Sequence, residues 1–337
     1  MKHLVKKEEL TKMLVELMEN YDIIAPVNRE QLVFLQPITK TEQITWDYAN
    51  SLKPVKEFFL PPREVLFQFN QGEVQPADLP PRKRVIWGVR PCDARSLLLL
   101  DKVFLNENPD IYYLTKRKNT LLIGLSCNHP QESCFCTSFS SGPHSKDGLD
   151  LLMTNLGEET FLLESNSPAG EQLLKNRGKE VGKAAGQKLQ KVKEEAGRKI
   201  DRILDTENLL GKLTNGLSDS YWEKVCRPCL SCGICRYFCP TCHCFDIADE
   251  GRERVRFWDG CSFPSFTKMT SGENPRFTKK ERFKQWYYHK FSHFKQNHGV
   301  FLCVGCGRCL RKCPVKIDFL EVLSQLPAQT ETPRSQG

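Results

Sequence analysis

Two short cysteine runs near the C-terminus constrain this chain more than any other feature. Each has the spacing C-x2-C-x2-C-x3-C-P, and the cysteines are Cys229, Cys232, Cys235 and Cys239, then Cys303, Cys306, Cys309 and Cys313. This is the bacterial ferredoxin spacing, in which three cysteines wrap one [4Fe–4S] cluster and the fourth ligates the other cluster. The runs therefore predict two clusters with crossed ligands. Cluster I takes Cys229, Cys232, Cys235 and Cys313, and cluster II takes Cys303, Cys306, Cys309 and Cys239.

The composition agrees with metal binding inside a cell. The chain has 337 residues and 16 cysteines, with no apolar run long enough to cross a membrane. Without a secretory signal, so many cysteines favour metal ligation over disulfides and indicate a reducing cytoplasm. The net charge is +8, but the basic residues are scattered along the chain. We therefore expect either a solvated surface or a docking face for an acidic redox partner or sister subunit, rather than nucleic-acid binding.

Residues 1–167 have the pattern of an α/β domain. Two short apolar runs, Arg84–Val89 and Thr120–Leu125, predict buried strands, and Ala94–Phe104 between them predicts a helix. Buried strands that alternate with helices favour parallel pairing. Asp93, just before that helix, is expected to cap it.

Four cysteines follow these two strands. Cys92 comes after the first, and Cys127, Cys134 and Cys136 come after the second. Ligands gather outside the carboxyl ends of strands in open α/β sheets, so the four thiols can converge on one site. A third Fe–S cluster and a zinc ion held by all four thiolates are both consistent with this set, and free buried thiols are the alternative.

The rest of the chain divides into three parts. Residues 168–217 are rich in Lys, Glu and Ala and predict a charged helical arm or linker. Residues 218–327 contain both cysteine runs, and aromatic residues at three- and four-residue steps predict a helix over Lys279–Asn297. This favours a mostly α-helical, ferredoxin-like domain with two clusters. Residues 328–337 form a polar tail that is expected to be disordered.

Three further cysteines are expected near the first run, two because they follow it in sequence and one because a turn can bring it back. Cys242 and Cys244 follow the run at once, and Cys261 ends a turn-like segment that can return to the same place. Three thiolates with one outside ligand can hold a cubane, which makes a further site possible here. The alternative is that these cysteines line the cluster pocket. Cys226 fits neither pattern.

The chemistry predicted from these residues is electron transfer. The chain contains neither a GxGxxG dinucleotide fingerprint nor a P-loop. Two clusters with crossed ligands make a relay, and basic residues around the second run favour the reduced form of its cluster or attract an acidic donor. These basic residues are Arg308, Arg311, Lys312 and Lys316. A relay without flavin, nucleotide or substrate motifs indicates a subunit that is not catalytic alone.

Five segments, in this order, resemble one family of redox subunits. They are RPCDARSLLLLDKVFL (90–105), SCNHPQESCFC (126–136), CLSCGICRYFCPTCHCFDI (229–247), FWDGCSF (257–263) and CVGCGRCLRKCPVKIDF (303–319). Together they are similar to the beta subunit of cytoplasmic hydrogenase/sulfur reductases (sulfhydrogenases) and to the closely similar iron–sulfur subunit of anaerobic sulfite reductase. The resemblance implies a 4Fe-4S dicluster protein of anaerobic metabolism, beside a flavin- and NAD(P)-binding subunit and a catalytic subunit. The catalytic subunit would be a nickel–iron hydrogenase or a sirohaem sulfite reductase.

Two other interpretations remain open from the sequence. Within the same class, the chain could be the electron-transfer subunit of a heterodisulfide-reductase-like complex. In a different class, it could be a zinc-stabilised, basic interaction protein or nucleic-acid-binding protein.

Overall fold

A computed structural model describes residues 1–70, 72–77, 82–214 and 218–326. The strands are β1 Lys2–Lys6, β2 Asp22–Arg29, β3 Leu32–Pro37, β4 Arg63–Asn70, β5 Glu73–Pro76, β6 Arg84–Val89, β7 Thr120–Leu125, β8 Leu151–Asn155, β9 Thr160–Ser165, β10 Lys179–Glu180, β11 Phe245–Glu250 and β12 Glu253–Trp258. The predicted tail, 328–337, lies outside the described residues.

The helices complete the list of elements. They are α1 Lys7–Asn20, α2 Pro91–Phe104, α3 Ile111–Lys118, α4 Pro168–Leu174, α5 Lys183–Arg198, α6 Leu209–Thr214, α7 Asp219–Cys226, α8 Ile234–Tyr237, α9 Lys279–Tyr288, α10 Phe294–His298, α11 Arg308–Lys312 and α12 Phe319–Ser324. A π-helical turn, His289–His293, joins α9 to α10. None of the helices in the described ranges is long and apolar enough to cross a membrane.

One large mixed sheet forms the core of the N-terminal region. Its strand order is β10-β1-β9-β8-β7-β6-β2-β3. The central strands β2, β6, β7 and β8 run parallel, which confirms the pairing predicted for the two apolar runs. Their residues are buried on both faces, as continuous apolar strands require. Cys92, in the first turn of α2, and Cys127, in the loop after β7, therefore lie at the same edge of the sheet.

The charged arm contains helices and also contributes to this sheet. Helix α5 covers most of its Lys- and Glu-rich stretch, and β10 pairs with β1 at the sheet edge. Gly178 lies close to the backbone of β1, where an added Cβ would come within 2.4 Å of the Leu4 carbonyl oxygen. At φ +65°, Gly178 also has a backbone conformation that favours glycine.

The cysteine-run region contains a hairpin as well as helices, so its prediction as mostly helical is not confirmed. Strands β11 and β12 pair across a tight turn at Gly251, and β12 then pairs with β4 of the N-terminal region. The result is a second sheet of order β11-β12-β4-β5. It contains strands from both sides of the expected domain boundary near residue 218.

The long aromatic helix is present as predicted. Helix α9, the π-helical turn and α10 are continuous from Lys279 to His298. A capping box at Thr278 and Glu281 starts this helix. Its buried aromatic residues pack against cysteines of both runs and against Phe135 and Phe139 of the N-terminal region. The cysteine runs and the loop after β7 therefore share one hydrophobic core.

Candidate metal centres

Thiols of both runs surround one cavity. Its lining includes Cys229, Cys232, Cys235, Cys309 and Cys313. Aromatic residues of α9 form another wall, while Cys232 is exposed to solvent. Four of these thiols are the set expected for cluster I, with the fourth cysteine supplied by the second run.

The runs bend around their thiols by left-handed turns. Gly233 and Gly307 precede α8 and α11 with φ +74° and +70°. Backbone N–H groups then face sulfur: Ser231 N lies 3.4 Å from Cys229 Sγ, and Gly305 N lies 3.5 Å from Cys303 Sγ. Such N–H donors stabilise thiolates and influence the potential of a bound cluster.

The thiols expected for cluster II also lie together. Cys239 interacts electrostatically with each of Cys303, Cys306 and Cys309. Burial raises the pKa of Cys303 to about 12. The adjacent Cys242 thiol and the Lys290 ammonium hold the pKa of Cys239 well below its usual value. Since metal ligation requires thiolates, iron binding at Cys303 would have to displace a proton.

The four N-terminal cysteines line a second cavity. Cys92 comes from the first turn of α2, and Cys127, Cys134 and Cys136 come from the segment after β7. Cys306 of the second run also borders this cavity. The thiol of Cys134 lies 3.9 Å from the carbonyl oxygen of Cys306, so the two cysteine groups are in contact.

Close backbone packing joins this second cavity to the second run. Phe135 N donates to Gly305 O at 2.9 Å. Gly305 has φ +62°, and an added Cβ there would come within 2.4 Å of the Phe135 carbonyl oxygen. Glycine is therefore needed both for the turn and for the approach of the 133–136 loop.

A buried ion pair joins α11 of the second run to α2. Arg308, at the start of α11, binds Asp93 with both guanidinium nitrogens at 2.9 and 2.7 Å. Arg308 also donates to the carbonyl oxygen of Ser51 at 3.0 Å. Asp93 does not cap α2 as expected, since no side chain caps that helix. Its carboxylate instead neutralises a cation of the second run.

The remaining cysteines lie beside the first run, and the lining of neither cavity includes them. The hairpin β11–β12 brings Cys261 back against Cys244, and the thiols of these two residues interact. Cys242 contacts Cys239. A further cluster at Cys242, Cys244 and Cys261 stays a prediction. Cys226 is buried, and its thiol donates to the Glu223 carbonyl oxygen at 3.5 Å.

The thiol arrangement fits a cluster better than a lone ion. Across the residues that the structure describes, no three His, Cys, Asp or Glu side chains are placed to hold a metal ion. The thiols expected for cluster I and those of the N-terminal group instead border a cavity in sets of four. Soft thiolates around such a space are the donor set of Fe–S clusters.

Three buried cations near the first run were not found by sequence reasoning. Lys56, Arg236 and Lys290 are only 2, 3 and 2 % exposed. Arg236 Nη1 donates to Cys235 Sγ at 2.7 Å, and Lys290 Nζ donates to Cys239 Sγ at 3.3 Å. The burial of Lys290 could have been predicted, because this residue falls on the aromatic face of the predicted helix, four residues after Trp286.

Comparison with known proteins agrees with this chemistry. Residues 228–317 match the 4Fe-4S dicluster domain family. The chain is 30% identical over 311 residues to sulfhydrogenase 2 subunit beta of Pyrococcus furiosus, a match that covers 90% of this chain and 92% of that protein. No solved structure matches the chain significantly. The fold and the thiol sites define an iron–sulfur electron-transfer subunit. The chain belongs to the family of sulfhydrogenase beta subunits.

Proposed function

We propose that this chain relays electrons through three [4Fe–4S] clusters in a multi-subunit cytoplasmic oxidoreductase. Cys229, Cys232, Cys235 and Cys313 would hold cluster I, and Cys303, Cys306, Cys309 and Cys239 would hold cluster II. A third cluster would be held by Cys92, Cys127, Cys134 and Cys136. When bound, such clusters take up and release single electrons.

One observation supports a continuous row of sites. The second run contributes Cys309 to the lining of the first cavity and Cys306 to the lining of the second. The thiols assigned to cluster II therefore lie between the other two groups. This order gives electrons a path along the chain from one cavity to the other.

The surface beside cluster I is suited to exchange with a partner. Cys232 is exposed, and the neighbouring Leu230 is 64 % exposed. The family membership supports two kinds of partner, in agreement with the resemblance described above. One is a flavin- and NAD(P)-binding subunit, and the other is a catalytic subunit of the nickel–iron hydrogenase or sirohaem sulfite reductase type.

Metal analysis of anaerobically purified protein tests the proposal. The expected product is brown and holds about twelve irons per chain, four for each cluster. Colourless protein that is rich in zinc would overturn it. Co-purification from the native host identifies the catalytic partner, and a complex without flavin or a metal-containing catalytic subunit would contradict the proposed place in the relay.

A further inference from the structure

A buried lysine lies directly against the thiols assigned to cluster II. Lys290 is 2 % exposed, and its Nζ donates to Cys239 Sγ at 3.3 Å. The same atom donates to Thr241 Oγ1 at 2.9 Å and to the Leu302 carbonyl oxygen at 3.0 Å. The ammonium group is thus fixed by one sulfur and two oxygens.

The helix type changes at Lys290, the residue whose side chain reaches Cys239 Sγ. Lys290 belongs to the π-helical turn His289–His293, which interrupts an otherwise α-helical segment. π-Helical turns are rare, and they occur frequently at functional sites. Trp286 lies on the same side, with Lys290 Nζ 5.9 Å from its ring centroid.

Lys290 has no carboxylate partner among the described residues, and neither do Lys56 and Arg236. Lys56 donates to the Cys242 carbonyl oxygen at 2.7 Å, and Arg236 donates to Cys235 Sγ. Burying a charge without a counter-ion is energetically unfavourable. The nearest groups able to carry negative charge are the cysteine thiolates, so these cations match an anionic cluster.

The N-terminal cavity has cations of two kinds. Arg308, 1 % exposed, is neutralised by Asp93 through two hydrogen bonds, whereas Arg90, 4 % exposed, faces Cys127 and has no carboxylate partner among the described residues. Lys290 differs from both because its ammonium donates directly to the sulfur of a cysteine assigned as a cluster ligand. Positive charge stabilises the reduced, more negative form of an Fe–S cluster and raises its potential.

We propose that Lys290 is a positioning residue that raises the reduction potential of cluster II. This inference rests on the proposed function, because it assumes a cluster held by Cys239 and the second run.

Potentiometric titration followed by EPR tests the proposal in the full chain. The signal of cluster II is the one that persists in both the Cys313→Ser and the Cys127→Ser variants. In Lys290→Met, its midpoint potential should shift to more negative values, while Lys290→Arg should restore a value near that of wild type. Lys295→Met is the matched control, since Lys295 lies on the next helical turn and its Nζ donates to the Gly299 carbonyl oxygen at 2.6 Å.

Three outcomes would overturn the inference. The first is an unchanged potential in an iron-loaded Lys290→Met protein, and the second is an equal shift in Lys290→Arg. The third is loss of cluster II from Lys290→Met and Lys290→Gln alike, which would assign Lys290 to cluster assembly. A wild-type protein without iron would instead refute the proposed function, before any variant is compared.

Discussion

The two thiol-lined cavities are built in different ways. The first takes three of its thiols from a single stretch of seven residues, Cys229–Cys235, and two more, Cys309 and Cys313, from the second run. The second collects Cys92, Cys127, Cys134 and Cys136 from segments that follow different strands. One cavity depends on local spacing and left-handed turns. The other depends on the parallel sheet, which places the ends of β6 and β7 at the same edge.

The contacts around the cavities also differ. The first is lined by aromatic residues of α9 and opens towards solvent at Cys232. The second is closed by the second run, through Gly305 and the Arg308–Asp93 ion pair. The N-terminal group is therefore expected to depend on correct docking of the second run, whereas the first group retains its geometry mainly through its own turns.

Loss of the crossed ligand should have the largest effect. In Cys313→Ser, we expect cluster I to be lost and the iron content to fall by about four per chain, because a hydroxyl is a poor substitute for a thiolate. Iron analysis and EPR measure this loss. Cys226→Ser is the control, since Cys226 is buried but does not belong to the lining of either cavity. Selective loss of the cluster II signal would show that the ligands are not crossed.

Removal of an N-terminal thiol should have a separate effect of the same size on the iron content. In Cys127→Ser, the iron content should fall by about four per chain while the EPR signals of clusters I and II remain. Cys127 lies on the loop after β7, away from both runs in sequence, so the core around α9 should stay intact. An unchanged iron content would mean that these four thiols are not cluster ligands.

Much of this arrangement follows from sequence patterns. Ligand spacing predicted which cysteines gather in the first cavity, and the strand ends predicted which cysteines gather in the second. Aromatic residues at helical steps predicted the helix that starts at Lys279. Each of these inferences uses a regular local pattern, or one topological rule for parallel strands.

The hairpin β11–β12 shows where such patterns fail. Its strands carry many charges, so the alternation of Val255 and Phe257 with Arg254 and Arg256 gave a weak apolar signal. The tight turn at Gly251 indicates a hairpin more strongly than the alternation within the strands does. The partner strand β4 is far away in sequence, since Phe257 pairs with Arg63 in a register that is shifted by a bulge. Local composition cannot predict a pairing over that distance.

The pairing of buried charges could not be predicted from the sequence either. Asp93 was expected to cap a helix, and Arg308 was expected to favour the reduced form of a cluster or to attract an acidic donor. In the fold they neutralise each other, while Lys290 remains without a carboxylate among the described residues. Which cation meets a carboxylate depends on the docking of elements that are far apart in the chain, so only the structure separates neutralised cations from uncompensated ones.

Asp93→Asn should cause the smallest change in iron content. It also tests the difference between a neutralised and an uncompensated buried cation. The substitution keeps the shape of the side chain but leaves Arg308 without a counter-charge beside Cys92 and Cys306. Losing one partner of a buried pair should lower the free energy of unfolding by about 3 kcal/mol. The iron content should stay at the wild-type level, and the potentials of the N-terminal cluster and of cluster II should both rise, because Arg308 lies beside Cys92 and Cys306. Chemical denaturation and potentiometric titration measure the two effects, with Asp147→Asn as a control at an exposed pair with Arg95. A fall in the N-terminal potential would contradict the role given to net charge, because an uncompensated guanidinium must favour the more negative, reduced form.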